Sequence, residues 1–507
     1  PEYMLAPRSN MSDLWLNLTS SIYEWLVFIF VWVIAILVVV ITFIYVIDKY
    51  QTKHALRRNY PVVGRFRYFF EHLGEFFRQY FFSMDREELP FNRAQRSWVY
   101  KAAKNISNTI AFGSTRDIKQ LGYIYFVNCP YPSIEKRIDD SKPITVGCGC
   151  KFPWTTSAFF GISAMSYGAI SKPAVQALSY GAAKAGTWLN TGEGGLSPYH
   201  LQGNADIIFQ IGTANYGVRD SEGKLDDEKL AQVAKHSQVK LFELKLSQGA
   251  KPGKGGILPG SKVSREIAEI RGIPEGVDSI SPNRRVDVFD NISLLEKLHH
   301  IRNITGKPVG FKAVLGSPDW IEELCVLIKA KGPDYTPDFI TIDSCDGGSG
   351  AAPMTLMDDV GMSIKESLPL LVNTLIKHGL KKQIKVFCSG KLVNPADVAW
   401  ALCAGADFCN TARGFMFSLG CIQALQCNKN TCPTGVTTHN KKLQRGLVAK
   451  DKSERVAFYA KNMMKAVNTI AHSCGVSSPR ELNENHARIV IDTGKSIALD
   501  EYYASED

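Results

Sequence analysis

The sequence lacks the features of a nucleic-acid-binding, disordered or polytopic membrane protein. Its 507 residues carry a formal net charge of +10, but the positive residues are not gathered into a basic stripe with interleaved aromatic residues. Hydrophobic residues make up 45% of the chain and charged residues 21%, which is ordinary globular composition. A chain of this length can bury a sizeable core, and one large domain with extensions would account for most of it.

Charge is absent from residues 25–47, which read WLVFIFVWVIAILVVVITFIYVI. As a helix this run would span roughly 34 Å at about 1.5 Å per residue, which is long enough to cross a bilayer. The basic n-region and small-residue cleavage site of a secretory signal peptide are not evident. The run therefore predicts a single transmembrane helix. The bulk of the chain is expected on the cytoplasmic side, because a basic cluster follows directly, with Lys49, Lys53, Arg57, Arg58, Arg65 and Arg67.

The segments on either side of this run give weaker signals. Residues 1–24 form an N-terminal tail, of which residues 1–10 precede a possible start at Met11 and are left out of the fold expectation. Residues 48–152 are expected to be a juxtamembrane region of helical and irregular pieces. Within it, aromatic residues between Phe66 and Phe81 recur at helical intervals. Such a helix either lies in the membrane interface or packs on the catalytic body.

From residue 153 to residue 475, short apolar runs alternate with longer helix-compatible stretches. This alternation predicts an α/β fold, a (β/α)8 TIM barrel with a parallel sheet, followed by a C-terminal extension over residues 476–507. The fourth strand is followed by the longest insertion, residues 249–282, where substrate contacts are expected. The eight predicted strands are residues 158–163, 187–190, 206–211, 241–246, 309–314, 339–343, 385–388 and 407–410.

Small and polar residues end most of these strands, where a barrel carries its functional loops. A flavin phosphate in such a barrel lies between the loops after strands seven and eight. Lys312 falls inside an apolar strand and would need an anionic partner if buried, such as the N1/O2 edge of a reduced flavin. Ordinary turns with surface cations, and a snorkelling surface lysine, are the alternatives. The phosphate loops would be Ser389, Gly390 and Lys391 with Ala412, Arg413 and Gly414.

Twelve cysteines are present, and in a cytoplasmic domain they are expected to be thiols or metal ligands rather than disulfides. Cys148 and Cys150 form a close pair without partners and are read as structural. Cys421, Cys427 and Cys432 lie on one short segment, and Pro433 follows the last of them. Their spacing favours an iron-sulfur cluster, with zinc and unmetallated thiols as the alternatives.

Four motifs together resemble the FMN-binding synthase domain of glutamate synthases: NTGEGG, QGAKPGKGGILPG, DGGSGAAP and C-x(5)-C-x(4)-C-P-x-G-V. The resemblance covers residues 153–475. It implies a (β/α)8 barrel with FMN and a 3Fe-4S cluster, an oxidoreductase of the class acting on CH-NH2 donors. The reaction would convert 2-oxoglutarate through 2-iminoglutarate to L-glutamate. It also implies that the cluster ligands are Cys421, Cys427 and Cys432.

The same resemblance assigns the remaining site residues. Glu193 would relay a proton, Lys312 would tune the flavin, and Lys251 and Arg271 would hold the carboxylate of the substrate. The residues around FMN would be Ser163, Ala164, Met165, Ser166, Asn190, Gln210, Lys312, Gly347, Gly348 and Gly350, together with the two phosphate loops.

The sequence departs from the family pattern in the insertion. Within it, Lys254 replaces an acid and Ile257 replaces a substrate-facing glutamine. Directly after it, Asn283, Arg284 and Arg285 make the pocket more basic. A glutaminase domain, a ferredoxin-like cysteine run and an NADPH-binding module are not seen. Ammonia is therefore expected from solution or a partner, and electrons from an external donor that is ferredoxin-like or membrane-associated.

Three functions remain open on the sequence. The first is glutamate formation, the second is a flavin oxidoreductase for a different amine or 2-oxoacid, and the third is an electron-transfer subunit of a membrane complex. The expected partners are membrane lipid, a small 2-oxoacid or amino acid and the electron donor. Nucleic acid is not expected, and homo-oligomerisation is left open.

Overall fold

A computed structural model describes residues 11–134 and 142–504. The expectation for residues 1–10 lies outside these described residues, as do residues 135–141 of the predicted juxtamembrane region and 505–507 of the predicted C-terminal extension. The chain divides into two compact units, of which the first ends at Arg93 and the second begins at Ala94.

The first unit is helical. It contains α1 (Met11–Tyr50), α2 (Ala55–Asn59), α3 (Val63–Phe77) and a π-helical turn, Arg78–Phe82. Within α1, Leu18–Tyr50 is long and apolar enough by length and composition to cross a membrane. The side chains of Phe66, Phe69, Phe70 and Phe77 in α3 are exposed.

The second unit holds the sheet elements. Its strands are β1 (Ile124–Phe126), β2 (Ile144–Val146), β3 (Trp154–Thr156), β4 (Phe160–Ile162), β5 (Trp188–Asn190), β6 (Asp206–Ile211), β7 (Val239–Lys245), β8 (Ile257–Leu258), β9 (Ser279–Ile280), β10 (Val309–Ala313), β11 (Phe339–Asp343), β12 (Lys385–Ser389), β13 (Phe408–Thr411), β14 (Ala487–Asp492) and β15 (Lys495–Ala498).

Helices follow most of these strands. They are α4 (Arg93–Ala103), α5 (Lys172–Ala185), α6 (Pro198–Leu201), α7 (Asp227–Lys235), α8 (Arg265–Arg271), α9 (Asn291–Thr305), α10 (Asp319–Lys331), α11 (Met354–Asp359), α12 (Ile364–Lys377), α13 (Pro395–Cys403), α14 (Arg413–Leu419), α15 (Lys441–Gln444), α16 (Ala449–Ser473) and α17 (Leu499–Tyr503).

Eight parallel strands close into a barrel in the order β4-β5-β6-β7-β10-β11-β12-β13, with β13 pairing back to β4. The predicted (β/α)8 barrel is confirmed, and each of the eight predicted strands overlaps one observed strand. The strands read as nearly continuous apolar runs because their two faces pack against the barrel interior and the surrounding helices. Strand β7 begins two residues before its predicted start, at Val239.

Aromatic side chains fill the end of the barrel where the strands begin. Trp188 opens β5 and Phe408 opens β13, and their ring centroids lie 5.6 Å apart. Trp154, from the β2–β3 hairpin, packs edge-on against Trp188 at 5.5 Å, and its indole N–H donates to Asp206 at 2.8 Å. This packing closes the N-terminal end, so the opposite rim is left for loops that carry chemistry.

The C-terminal extension pairs with the region ahead of the barrel. Strand β14 is antiparallel to β1 on one side and to β15 on the other, with Ile124 opposite Ile489. Part of the region predicted as juxtamembrane and the end of the chain therefore share one three-stranded sheet in the second unit.

Candidate active site

Glu193 lies on the carboxyl-terminal rim of the barrel, in a 3-10 turn directly after β5. Its Oε2 is 2.9 Å from Nζ of Lys245, the last residue of β7, and the two side chains are only 17% and 8% exposed. Burial acts to raise the pKa of Glu193, but the ammonium of Lys245 and the charges of Lys251 and Arg271 together lower it overall. Glu193 is therefore ionised at neutral pH, inside a cationic pocket.

The insertion after β7 supplies the other two cations. Lys251 is buried, and its ammonium donates to the carbonyl oxygen of Gly255 at 3.1 Å. Burial lowers the pKa of Lys251 to about 8, although the charge of Glu193 acts in the opposite direction. The backbone of Gly256 lies close to the carboxylate of Glu193, since a Cβ at that position would clash with Oε1 of Glu193. A side chain there is excluded by the carboxylate itself.

Arg271 ends α8 and is buried. Its guanidinium donates to Ser279 Oγ at 3.0 Å and to the Tyr167 carbonyl at 3.3 Å, and it lies 5.1 Å from the centroid of the Tyr216 ring. Its Nε is buried and has no hydrogen-bond partner within the described part of the chain. Burial lowers the pKa of Arg271. A buried N–H without an acceptor is costly, so this atom is suited to an anionic ligand.

Glu193, Lys251 and Arg271, which the sequence predicts as site residues, thus come together at one place. Lys245 was not predicted from the sequence, although it and Glu243 are charged residues inside an otherwise apolar strand, VKLFELK. Charges placed in a buried strand were the signal that could have found them.

Glu243 organises the barrel interior. Its carboxylate accepts hydrogen bonds from Asn190 Nδ2 at 2.9 Å, Gln210 Nε2 at 2.7 Å and Thr341 Oγ1 at 2.5 Å. Asn190 and Gln210, both predicted to contact a flavin, therefore already have protein partners that fix their amide orientation.

Lys312 is buried in β10, as the sequence reasoning requires, but it has an anionic partner within the protein. Its Nζ lies 3.0 Å from Asp343 Oδ2 at the end of β11. Burial acts to lower the pKa of Lys312, yet the carboxylates of Asp343 and Glu243 give a net shift upward. Asp343 therefore supplies a counter-charge for Lys312 within the protein, and a flavin is not needed for that purpose.

The loops predicted to bind phosphate lie near Asp346. Lys391 pairs with Asp346 Oδ2 at 2.9 Å, and Arg413 donates to the carbonyl of the same residue at 3.3 Å. A Cβ at Gly348 would be 3.0 Å from the Arg413 guanidinium, so the glycine lets the loop approach this cation. Gly414, by contrast, is packed against the Tyr459 hydroxyl and serves helix packing.

The other predicted cofactor residues lie at the same rim. Ser163, after β4, has its hydroxyl 3.3 Å from that of Ser389 at the end of β12. Ala164, Met165 and Ser166 continue the loop after β4, and Met165 N–H donates to the Asn190 carbonyl at 3.5 Å. The structure places Gly347 against Gly249, Gly350 beside Cys427, Gly390 against Ser344, and Ala412 at the start of α14.

Serine hydroxyls, buried amides, the Lys312 ammonium and two cations on glycine-containing loops form a donor set that fits a flavin mononucleotide. The close approach of Gly348 to Arg413 is the structural observation behind this fit.

The three predicted cluster ligands lie on the segment after α14. Burial raises the pKa of Cys421 to about 12, and the thiols of Cys427 and Cys432 add to the shift. Burial also acts to raise the pKa of Cys432, but hydrogen bonds from Thr434 and Thr437 lower it overall. Across residues 11–134 and 142–504, no group of three Cys, His, Asp or Glu residues is arranged to hold a metal ion. Sulfur donors of the right number fit an iron-sulfur cluster, whose presence stays a prediction.

A family model described as a conserved region in glutamate synthase matches residues 140–477. The chain is 40% identical over 496 residues to the glutamate synthase large subunit-like protein YerD of Bacillus subtilis, with 90% of this chain and 94% of that protein covered. It is 31% identical over 342 residues to an archaeal-type glutamate synthase (NADPH) of Thermotoga, with 67% and 63% covered. Among solved structures, a mutant flavocytochrome b2 with benzoylformate has a TM-score of 0.44 and 14% identity, with 80% of each chain covered.

Proposed function

Because this chain belongs to the glutamate synthase family, we propose that it is a membrane-anchored oxidoreductase dependent on FMN and an iron-sulfur cluster. Its barrel would reduce 2-iminoglutarate, formed from 2-oxoglutarate and ammonia, to L-glutamate with electrons from an external donor. The observation that carries this proposal is the enclosure of Glu193 by Lys245, Lys251 and Arg271 at the rim of the barrel.

The charge of this pocket suits a dicarboxylate. Three cations surround one carboxylate, which leaves an excess of positive charge in a largely buried space. Among the described residues, the Nε–H of Arg271 has no acceptor, and the Lys251 ammonium donates only to the Gly255 carbonyl. These two groups would bind the carboxylates of 2-oxoglutarate, because charge-assisted hydrogen bonds are strongest where water is excluded.

The roles of Glu193 and Lys245 follow from their protonation. Glu193 has a lowered pKa, so it is a poor acid and would stabilise a protonated imine nitrogen by charge. The ammonium of Lys245, 2.9 Å away, is the proton donor of the pair. Lys245 would give a proton, relayed by Glu193 through this contact, to the amine nitrogen of the reduced substrate, and would regain a proton from solvent.

FMN would be held by the loops around Asp346, with Lys391 and Arg413 as phosphate partners and the neighbouring hydroxyls of Ser163 and Ser389 as further hydrogen-bonding groups. When bound, FMN supplies hydride transfer to an electrophilic carbon. Lys312 adds positive charge to the floor of the pocket, and Asn190 and Gln210 are oriented there by Glu243.

The cluster would be held by Cys421, Cys427 and Cys432 and would supply one-electron transfer. Its support is the thiol set together with the position of Gly350, where a Cβ would lie 3.7 Å from that of Cys427. The loop predicted to contact FMN therefore touches the cysteine segment. The buried ammonium of Lys262, which donates to the Cys427 carbonyl at 2.8 Å, adds a positive charge favourable to thiolates.

The membrane anchor is supported by the apolar length of α1 and by the basic residues that follow it. We place the barrel on the cytoplasmic side, where ammonium, 2-oxoglutarate and a ferredoxin-like or membrane-associated donor would reach it.

A second candidate is the same chemistry on a different 2-oxoacid or amine. Ile257 is 37% exposed and directly follows Gly256, which backs onto Glu193. Ile280 lies opposite it on β9 and is also exposed. An apolar pair at this position favours a substrate with an apolar side chain over one with a second carboxylate.

The test is an anaerobic assay of the full chain in nanodiscs with reduced ferredoxin, 2-oxoglutarate and ammonium, in which L-glutamate is measured. Glu193→Gln is expected to lower turnover by about 10²–10⁴-fold, because the proton relay is lost. Glu269→Gln, on an exposed face of neighbouring α8, is the matched control. Turnover only with a monocarboxylic 2-oxoacid would support the second candidate. Bound flavin that no small acceptor reoxidises would refute both.

A further inference from the structure

We propose that the exposed aromatic residues of α3 and of the π-helical turn form an aromatic face. This face lies at the boundary between headgroups and acyl chains, in the leaflet from which α1 emerges. The chain would then be anchored to the membrane by a transmembrane helix and by an interfacial helix. This inference rests on the proposed membrane span of α1.

The residues of the aromatic face lie on one side of α3. Its members in α3 fall within about 100° of arc at 3.6 residues per turn. Their side chains are 38–74% exposed, far more than aromatic residues in a core. The aromatic face comprises Phe66, Phe69, Phe70 and Phe77 of α3 with Tyr80, Phe81 and Phe82 of the turn.

Another side of α3 is occupied by protein. Tyr68 packs against the region around α2, with the Arg57 guanidinium 4.6 Å from its ring centroid and the His54 ring at 5.6 Å. Arg67 and Glu71 are exposed and charged, on a flank of the helix. The helix is thus amphipathic, and its apolar side is the one turned away from α2.

An ion pair between buried Asp48 and the partly exposed Arg65 joins the start of α3 to the end of the apolar run. Asp48 is the first charged residue after residues 25–47, and it is 1% exposed. Its carboxylate accepts two hydrogen bonds from the Arg65 guanidinium, both at 2.8 Å, and one from the Val62 N–H at 3.1 Å. If α1 spans a bilayer, the Asp48–Arg65 ion pair holds α3 at the depth where the hydrocarbon ends.

Lipid is the occupant that these features favour. Phenylalanine is typical of the apolar face that an interfacial helix buries at the boundary between headgroups and acyl chains, and tyrosine is enriched at the same depth. The cations between Lys49 and Arg67 are complementary to anionic headgroups. Continuity with the span brings the face to a bilayer without any further partner. Binding to a protein surface or to a second copy of the chain would require neither the Asp48–Arg65 ion pair nor these cations.

The experiment uses photo-crosslinking of the full chain in vesicles of phosphatidylethanolamine and phosphatidylglycerol. The amino acid p-benzoylphenylalanine is placed at Phe69, at Glu71 on the flank, or at Val33 inside α1. We expect lipid adducts at Val33 and Phe69, and severalfold fewer at Glu71. Lipid adducts at Val33 but protein adducts at Phe69 would overturn the interfacial helix alone. Absence of lipid adducts at Val33 would overturn the span and this inference with it.

A second variant tests whether the Asp48–Arg65 ion pair positions α3. Asp48→Asn, with the probe at Phe69, is expected to lose most of its lipid adduct while the adduct at Val33 is unchanged, because α3 is no longer fixed to the end of α1. Flavin absorbance of the same preparation shows that the second unit is folded. An unchanged adduct at Phe69 would show that the ion pair does not position the helix.

Discussion

The carboxylate of Glu193 and the ammonium of Lys245 meet at 2.9 Å, from the ends of two different barrel strands and largely out of water. Because burial alone would raise the pKa of Glu193, the ionised state of this residue depends on Lys245. The sequence motifs identify Glu193 but not Lys245, although Lys245 helps to set the ionisation state of Glu193.

Replacing Lys245 by Met is expected to lower the free energy of unfolding by about 3–5 kcal/mol, because the buried carboxylate of Glu193 loses its direct ion-pair partner. The pKa of Glu193 is lowered in the folded protein, so its ionised form adds stability above pH 4.5 that is lost as pH falls. In Lys245→Met the pKa rises, and the acidic limb of the pH–rate profile moves to higher pH. Urea unfolding and pH-dependent turnover measure the two effects.

The control for this prediction is Lys224→Met, which breaks an exposed pair with Glu222 at 2.8 Å. It should change the free energy of unfolding by less than about 1 kcal/mol. Equal effects of the two substitutions would contradict a special role for Lys245.

Ile257→Gln is expected to shift substrate preference toward 2-oxoglutarate. An amide at this position offers a hydrogen bond to a second carboxylate, and a bond to a charged group is worth about 1.5–3 kcal/mol, or about 10- to 100-fold in kcat/KM. The measurement is the ratio of kcat/KM for 2-oxoglutarate to that for a monocarboxylic 2-oxoacid. Ile280→Gln, on the facing strand, tests whether the position or merely the polarity matters. An unchanged ratio for Ile257→Gln would place this residue outside the substrate pocket.

Cys421→Ser, Cys427→Ser and Cys432→Ser are each expected to remove most of the iron from anaerobically purified protein while flavin remains bound. The reason is that each thiolate would supply one cluster bond. Cys148→Ser is the control, since that thiol is exposed and outside the segment. Iron analysis and visible absorbance give the readout, and a full iron content in all three variants would refute the cluster assignment.

The segment directly after the insertion, which holds its C-terminal end in place, is expected to loosen at acid pH. Burial acts to raise the pKa of Asp287, but its bonds to Arg285 at 3.0 Å and Lys297 at 2.8 Å lower it to about 2. A lowered pKa means that the stabilisation is present above about pH 4 and is lost as pH falls toward 2. Asp287→Asn removes the charge at neutral pH.

This variant should therefore become more sensitive to proteolysis between residues 249 and 290 at pH 7. Glu275→Gln, an exposed change in the same insertion, should leave cleavage unchanged. If Asp287→Asn resists cleavage as the natural chain does, then the ion pairs of Asp287 do not hold the insertion.

The amino-acid sequence by itself determined the architecture of the barrel and the identity of its loops. Parallel strands buried on both faces appear as short apolar runs, and their spacing is visible without any long-range information. The apolar length of α1, the glycine-rich motifs that contain Glu193 and Lys251, and the helix after LPG that contains Arg271 were equally local signals.

Only the tertiary structure decided which charges neutralise one another. Lys245 pairs with Glu193, Asp343 pairs with Lys312, and Glu243 joins the side chains of β5, β6 and β11. The pairing of β1 with β14 belongs to the same class. These contacts join residues that are distant in the chain, and a sequence pattern reports burial and period but not the partner that closes across a barrel or a sheet.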